Sequence, residues 1–144
     1  MKRHESIAPL SRDHHNTLLL AQLLKKNAPV YRDMPVDTAG KVKYALQQFE
    51  AHIKKHFLQE EKMLETAKDC GPEINRLAGE IKTEHLALTG LFNALETATD
   101  PVETMNTLAE LLETHIRKEE RVLFPLLQQH CSEEMLQQIH GQLH

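Results

Sequence analysis

His56-Phe57-Leu58-Gln59-Glu60-Glu61-Lys62-Met63-Leu64 and His115-Ile116-Arg117-Lys118-Glu119-Glu120-Arg121-Val122-Leu123 are the two stretches that decide the fold. Both read HxxxEExxL. Residues four apart share a helix face, so in each stretch the His and the first Glu lie together and the second Glu turns away. Around the first, Val42, Phe49, Ile53, His56, Glu60, Met63 and Ala67 fall in one stripe, with Gln47, Lys54, Lys55, Glu61 and Lys62 opposite. Around the second, the stripe is Leu108, Leu111, Leu112, His115, Glu119, Val122 and Leu126, and Arg117, Lys118, Glu120 and Arg121 lie outside it. Each helix thus carries a His/Glu pair inside its apolar face.

Working outward, punctuation residues divide the chain into four long helices. The first is predicted from an N-cap at Ser11 to about Asn27, before Pro29, with Asp13 complementing the helix dipole. The second runs from about Asp37 to Lys68 and stops at Cys70-Gly71-Pro72. The third begins at Pro72 and ends near Thr97. The fourth opens on Asp100-Pro101-Val102-Glu103, a cap, an N1 proline and a capping-box Glu, and reaches His130 with a kink at Pro125. Ser132 caps a short terminal helix, 132 to 142. Short connections predict an all-α, up-down-up-down four-helix bundle with a short C-terminal helix.

The first and third helices echo each other too, as Asp13-His14 and Glu84-His85, each followed by leucines at Leu20/Leu24 and Leu91/Leu95. The chain reads as two helical hairpins, each with one lone His and one HxxxE. His85 lies in the stripe of Ile74, Ala78, Ile81, Leu88, Phe92 and Leu95. On the first helix His14 shares a face with Leu10, Thr17, Leu18, Ala21 and Leu24, whereas its neighbour His15 sides with Gln22 and Lys26; His14 is the candidate. That choice turns Leu19 and Leu23 outward, to cover the terminal helix or to form a homodimer contact.

A carboxylate in an apolar stripe is unfavourable by several kcal/mol unless paired, and Glu60 and Glu119 at one level also repel. A multivalent cation resolves both problems, and imidazole with carboxylate suits iron, manganese or zinc. The candidate ligands are His14, His56, Glu60, His85, His115 and Glu119. Ten histidines and sixteen glutamates in 144 residues make one isolated HxxxE a chance event, and His130/Glu134, which crosses the Ser132 boundary, is taken as that one. HxxxEE twice, each in a separate stripe, is much harder to reach by accident. His52 is read as supporting the site from one turn away, Glu61 and Glu120 as surface residues paired with Lys or Arg, and His4, His140 and His144 as solvated.

Composition excludes other classes. The net charge is -4, so no basic field draws nucleic acid. No apolar run approaches the roughly 18 residues of a membrane span, and the N-terminal MKRHESIAPL lacks a leader's apolar core. A cytoplasmic location follows as the expectation, with Cys70 and Cys131 as free thiols.

The order H … HxxxE … H … HxxxE, carried by His14, His56/Glu60, His85 and His115/Glu119, resembles the hemerythrin-like proteins, or HHE cation-binding domains, over most of the chain. His115-x-x-x-Glu119-Glu120-Arg-Val-Leu-Phe-Pro125 is similar to that family's fourth-helix signature. The resemblance implies one domain over residues 1–144. It also implies a non-heme centre of two iron ions bridged by the two carboxylates, for which zinc or manganese could substitute. The family's oxygen carriers place a second His one turn from the third-helix ligand, where this chain has Ile81 and Thr89. The implied function is binding, sensing or processing of O2, NO, peroxide or iron. The alternatives are a redox enzyme removing peroxide or NO at the same centre, and a metal-free structural or partner-binding bundle.

Overall fold

The computed structural model describes residues 2–143. Five helices follow one another: α1 (Ala8–Leu24); α2, made of Thr38–Gln48, a π-type turn Phe49–Ile53 and Lys54–Thr66; α3 (Pro72–Ala94); α4, made of Pro101–Lys118, a second π-type turn Glu119–Leu123 and Phe124–His130; and α5 (Glu133–Leu143). No strand occurs among the described residues. The long helices pack in a ring, α1 on α2, α2 on α3, α3 on α4 and α4 on α1, and α5 lies against α2.

Most boundaries follow the local chemistry. Asp37 caps α2 by accepting from the Gly40 N–H at 3.2 Å. Gly71, at φ 141°, makes a reversal closed to other residues and hands the chain to Pro72. Asp100 accepts from the Glu103 N–H, and Ser132 from the Met135 N–H. Glu103 does not close a capping box, because its carboxylate is taken by Lys26 Nζ at 3.2 Å.

The first helix differs from expectation. It begins at Ala8, with Pro9 in its first turn, and ends at Leu24. Ser11 is therefore inside the helix rather than at its cap, and Asp13 lies beyond the turn where the dipole acts. Leu23 is buried, not outward, because α1 packs between two neighbours; Leu19 is exposed as expected.

The irregularity near Pro125 is the π-type turn just before it, where the Phe124 N–H reaches back to the Glu119 carbonyl. A π-type turn holds one residue more than an α turn. It moves the buried stripe of α4 one position along: Leu123 and Leu127 are fully buried, whereas Val122, expected in the core, is 41 % exposed. Leu111, upstream of that turn, is also exposed, while its neighbour Leu112 is fully buried.

Two apolar clusters result. One contains Leu20, Leu24, Phe49, Ile53, Phe92 and Leu112, the other Leu10, Met63, Ile81, Phe124, Leu127 and Ile139. The buried polar residues His14, His56, Glu60, His85, His115 and Glu119 lie between them in the sequence of all four long helices. Cys131 is buried and Cys70 partly so; burial and the neighbouring Cys70 push the Cys131 thiol up to about 12, so it is no nucleophile near neutral pH.

Candidate metal centre

All six predicted residues are buried and meet at one place. Their ligand-capable atoms form two overlapping groups, His14/His56/Glu60/Glu119 and Glu60/His85/His115/Glu119, each within 4.8 Å. Glu60 faces both groups. Its Oε2 is 3.1 Å from His56 Nε2, and its Oε1 is 3.0 Å from His85 Nε2. Glu119 Oε1 stands 3.1 Å from His14 Nε2 and 3.2 Å from His115 Nε2. Each hairpin thus supplies a histidine pair, and the two carboxylates lie between the pairs. Ile81 and Thr89, one turn either side of His85, do not belong to the converging groups. His15 and His52 are exposed and do not join the cluster.

Glu61 and Glu120 are not merely surface residues. His85 Nδ1 donates to Glu61 at 2.8 Å, and His14 Nδ1 to Glu120 at 2.6 Å. The acids preceding the lone histidines act in the same way: His56 Nδ1 donates to Asp13 at 3.0 Å and His115 Nδ1 to Glu84 at 2.7 Å. The pattern is cyclic. Each long helix contributes one histidine and lends one carboxylate to the histidine of the next, α1 to α2, α2 to α3, α3 to α4 and α4 to α1. Some of these acids are themselves tied down. Glu120 accepts from Ser11 and pairs with Arg3, and Glu84 takes Lys118 Nζ at 2.8 Å. The sequence carried the signal in the repeats HxxxEE and Asp/Glu-His.

This ring decides the tautomers. A carboxylate only accepts, so each Nδ1 carries a proton and a neutral ring presents a bare Nε2 inward. Four imidazole lone pairs then converge with two carboxylates. His14 Nε2 and His56 Nε2 are 3.2 Å apart, a contact that needs a shared cation or proton. Glu60 Oε2, both Glu119 oxygens and His115 Nε2 are buried with no well-oriented hydrogen bond.

Protons show the same electrostatic demand. Burial lowers the pKa of His14, but Glu119, Glu120 and Glu60 outweigh it and raise the ring to about 11. At His115 burial is likewise overcome, by Glu119, Glu60 and Glu84, and the value is pushed up to about 12. At His56, burial is outweighed by Glu60 and Asp13, to about 9. Burial and the adjacent Glu60 raise Glu119 above the ordinary carboxylate range. The same excess of carboxylate charge would offset a metal ion that displaces these protons.

Aromatic rings fix the imidazoles from outside. Phe57 stacks on His85 at 4.1 Å, and Phe124 stacks on His14 at 5.6 Å with planes 4° apart. Glu113, a further buried acid on α4, belongs elsewhere: it pairs with Lys25 and Arg117.

No curated protein and no solved structure matches the chain. A family model does, that of the hemerythrin HHE cation binding domain, over residues 5–127 and again over 76–142. The second match begins in α3, where the second hairpin of the internal repeat starts. With most of its length covered and a buried His/Glu cluster able to hold a metal at its centre, the chain belongs to the hemerythrin HHE cation-binding domain family.

Proposed function

We propose that this domain, taken as one unit, holds two non-heme iron ions and uses them to bind, sense or process a small ligand such as O2, NO or hydrogen peroxide. His14 and His56 would hold one ion and His85 and His115 the other, with Glu60 and Glu119 as the carboxylates common to both groups. The observation that carries this reading is the convergence of four imidazole Nε2 atoms and the carboxylate oxygens of Glu60 and Glu119 in two overlapping groups. Nitrogen and carboxylate donors suit iron, and manganese or zinc as substitutes.

Each group offers four protein donors. Iron accepts more, so positions stay open for an external ligand, and the metal supplies redox and Lewis-acid chemistry there. The chain's own part is to hold the imidazoles in one tautomer, to bridge the ions and to keep bulk water out with Phe57 and Phe124. Two free thiols fit a reducing, cytoplasmic setting. Among the described residues no helix is long and apolar enough to cross a membrane.

Metal analysis with an optical spectrum tests the proposal. Freshly made protein should carry two iron ions per chain with carboxylate-bridged absorption, and protein without stoichiometric metal sinks it. Turnover of peroxide by the loaded protein would favour the enzyme, and a stable ligand adduct without turnover would favour the binder.

The outer carboxylates provide a graded test. Glu61→Gln or Glu120→Gln keeps shape but weakens the acceptor that orients His85 or His14. Metal affinity should fall by about 10- to 100-fold, the usual effect of losing an orienting partner. Competition with a coloured chelator measures it, and an unchanged affinity would show that the ring does not position the ligands.

A further inference from the structure

The corners of the carboxylate ring differ at the surface. The Asp13 side chain is 53 % exposed, against 35 % for Glu61, 31 % for Glu84 and 27 % for Glu120. Asp13 and its partner His56 belong to the wall of a cleft of about 540 Å³ between α1 and α2. Asn16, Gln48, His52 and Gln59 give that cleft hydrogen-bonding groups. A second, narrower cavity lies deeper, and its wall includes His14, His115 and Glu119. It has no room for a water molecule in this conformation. Thr17, Ile53 and His56 line both spaces. Ile53 ends the π-type turn of α2, one turn before His56. Such turns are rare and recur at functional sites.

We propose that the α1–α2 cleft is the entrance to the centre, that Thr17 and Ile53 form its constriction, and that it serves a small hydrogen-bonding ligand of the hydrogen peroxide class. This rests on the metal-centre reading above. The constriction separates the larger cleft, with its amide and imidazole groups, from the small space bounded by His14, His56, His115 and Glu119. Thr17, Ile53 and His56 are the wall the two spaces share, and since His56 belongs to the centre, side-chain motion at Thr17 or Ile53 would join them. The polar rim selects for a ligand that can exchange hydrogen bonds with water for hydrogen bonds with amides and imidazole. An apolar diatomic gains nothing from such a rim.

The test uses iron-loaded, full-length protein and azide as the probe, followed by stopped-flow absorption. A constriction is passed in both directions, so altering it changes association and dissociation rates by one factor and leaves Kd unchanged. Thr17→Met should slow both by about tenfold, the scale of a modest gating barrier. Thr17→Ala and Ile53→Val should speed both. Asn16→Leu with Gln48→Leu should slow azide and leave nitric oxide arrival unchanged. Leu86→Ala, on the exposed face of α3, serves as the control. Metal content verifies that each variant is folded and loaded. Rates unmoved in every variant, or a shifted Kd with an unmoved association rate, overturn the entrance while the metal centre stands. Loaded protein that binds neither azide nor peroxide overturns the ligand reading and the entrance with it.

Discussion

Glu60→Ala is expected to abolish stoichiometric metal binding at both positions, not at one. Glu60 is the residue whose two oxygens face different histidine pairs, Oε2 toward His56 and Oε1 toward His85. Its removal takes one donor from each group and removes the negative charge that offsets two cations at close range. It also leaves the Nε2 atoms of His56 and His85 in a buried space without their inner carboxylate partner. Breaking a buried charged cluster by deleting one member costs about 3–5 kcal/mol, so the variant should be less stable as well as metal-poor. Glu60→Gln separates the two effects. It keeps the volume and can hydrogen-bond the imidazoles, but it is a poor bridge. It should fold nearer to wild type and still lose the metal pair. Metal content of the two variants, with thermal unfolding alongside, checks this. A Glu60→Gln protein that retains two ions would overturn the bridging role. Glu119→Gln should behave similarly, because Glu119 Oε1 stands against the other two histidines, His14 and His115, and both Glu119 oxygens are buried.

The contrast between Glu60 and Glu61 also explains what the sequence could and could not reveal. Helical spacing identified His14, His56, Glu60, His85, His115 and Glu119 as one buried set, because period and polarity conflict at those positions and nowhere else along the stripes. Glu61 and Glu120 sit about 100° round the helix from the core-facing Glu, given 3.6 residues per turn. An amphipathic reading assigns that direction to solvent. In a four-helix ring it is the seam with the next helix, where a carboxylate reaches a neighbour's Nδ1 and remains partly wet. Only the recurrence of HxxxEE and of Asp/Glu-His pointed to them, and recurrence does not say which helix is adjacent.

The π-type turns were hidden for a different reason. Pro125 announces one irregularity, but the extra residue lies upstream at Glu119–Leu123, and no breaker marks Phe49–Ile53. Uniform 3.6-residue spacing therefore carried the stripe of α4 one residue out of phase, to Val122 instead of Leu123. Leu23 misled through packing: α1 has two neighbours and buries a wider arc than one stripe.

Between pH 6.5 and 9 the stability of the domain should fall with pH without metal and change little with it. Without metal, His14, His56 and His115 have folded-state pKa values of about 11, 9 and 12, all above the ordinary 6.5. A raised value means that the folded state binds protons the unfolded state has released. The stabilisation is complete below 6.5 and is lost as pH rises toward the folded values. Each such group changes stability by about 1.4 kcal/mol per pH unit inside that window. Glu119, also raised, has the same sign. The metal-free protein should therefore melt progressively lower from pH 6.5 to 9. Metal ions need those same nitrogens deprotonated, so their affinity rises with pH. At about 1,000 times Kd, one bound ion adds roughly 4 kcal/mol, or on the order of 10 °C in a domain of this size. The gap in melting temperature between metal-loaded and chelator-stripped protein should widen from pH 6.5 to 9. Loading at pH 7 should release protons from those three histidines, measurable as a dependence of the binding enthalpy on buffer ionisation heat. A gap that narrows with pH, or loading without proton release, would mean that the imidazoles are not the ligands and that the buried cluster is a salt-bridge network held by protons alone.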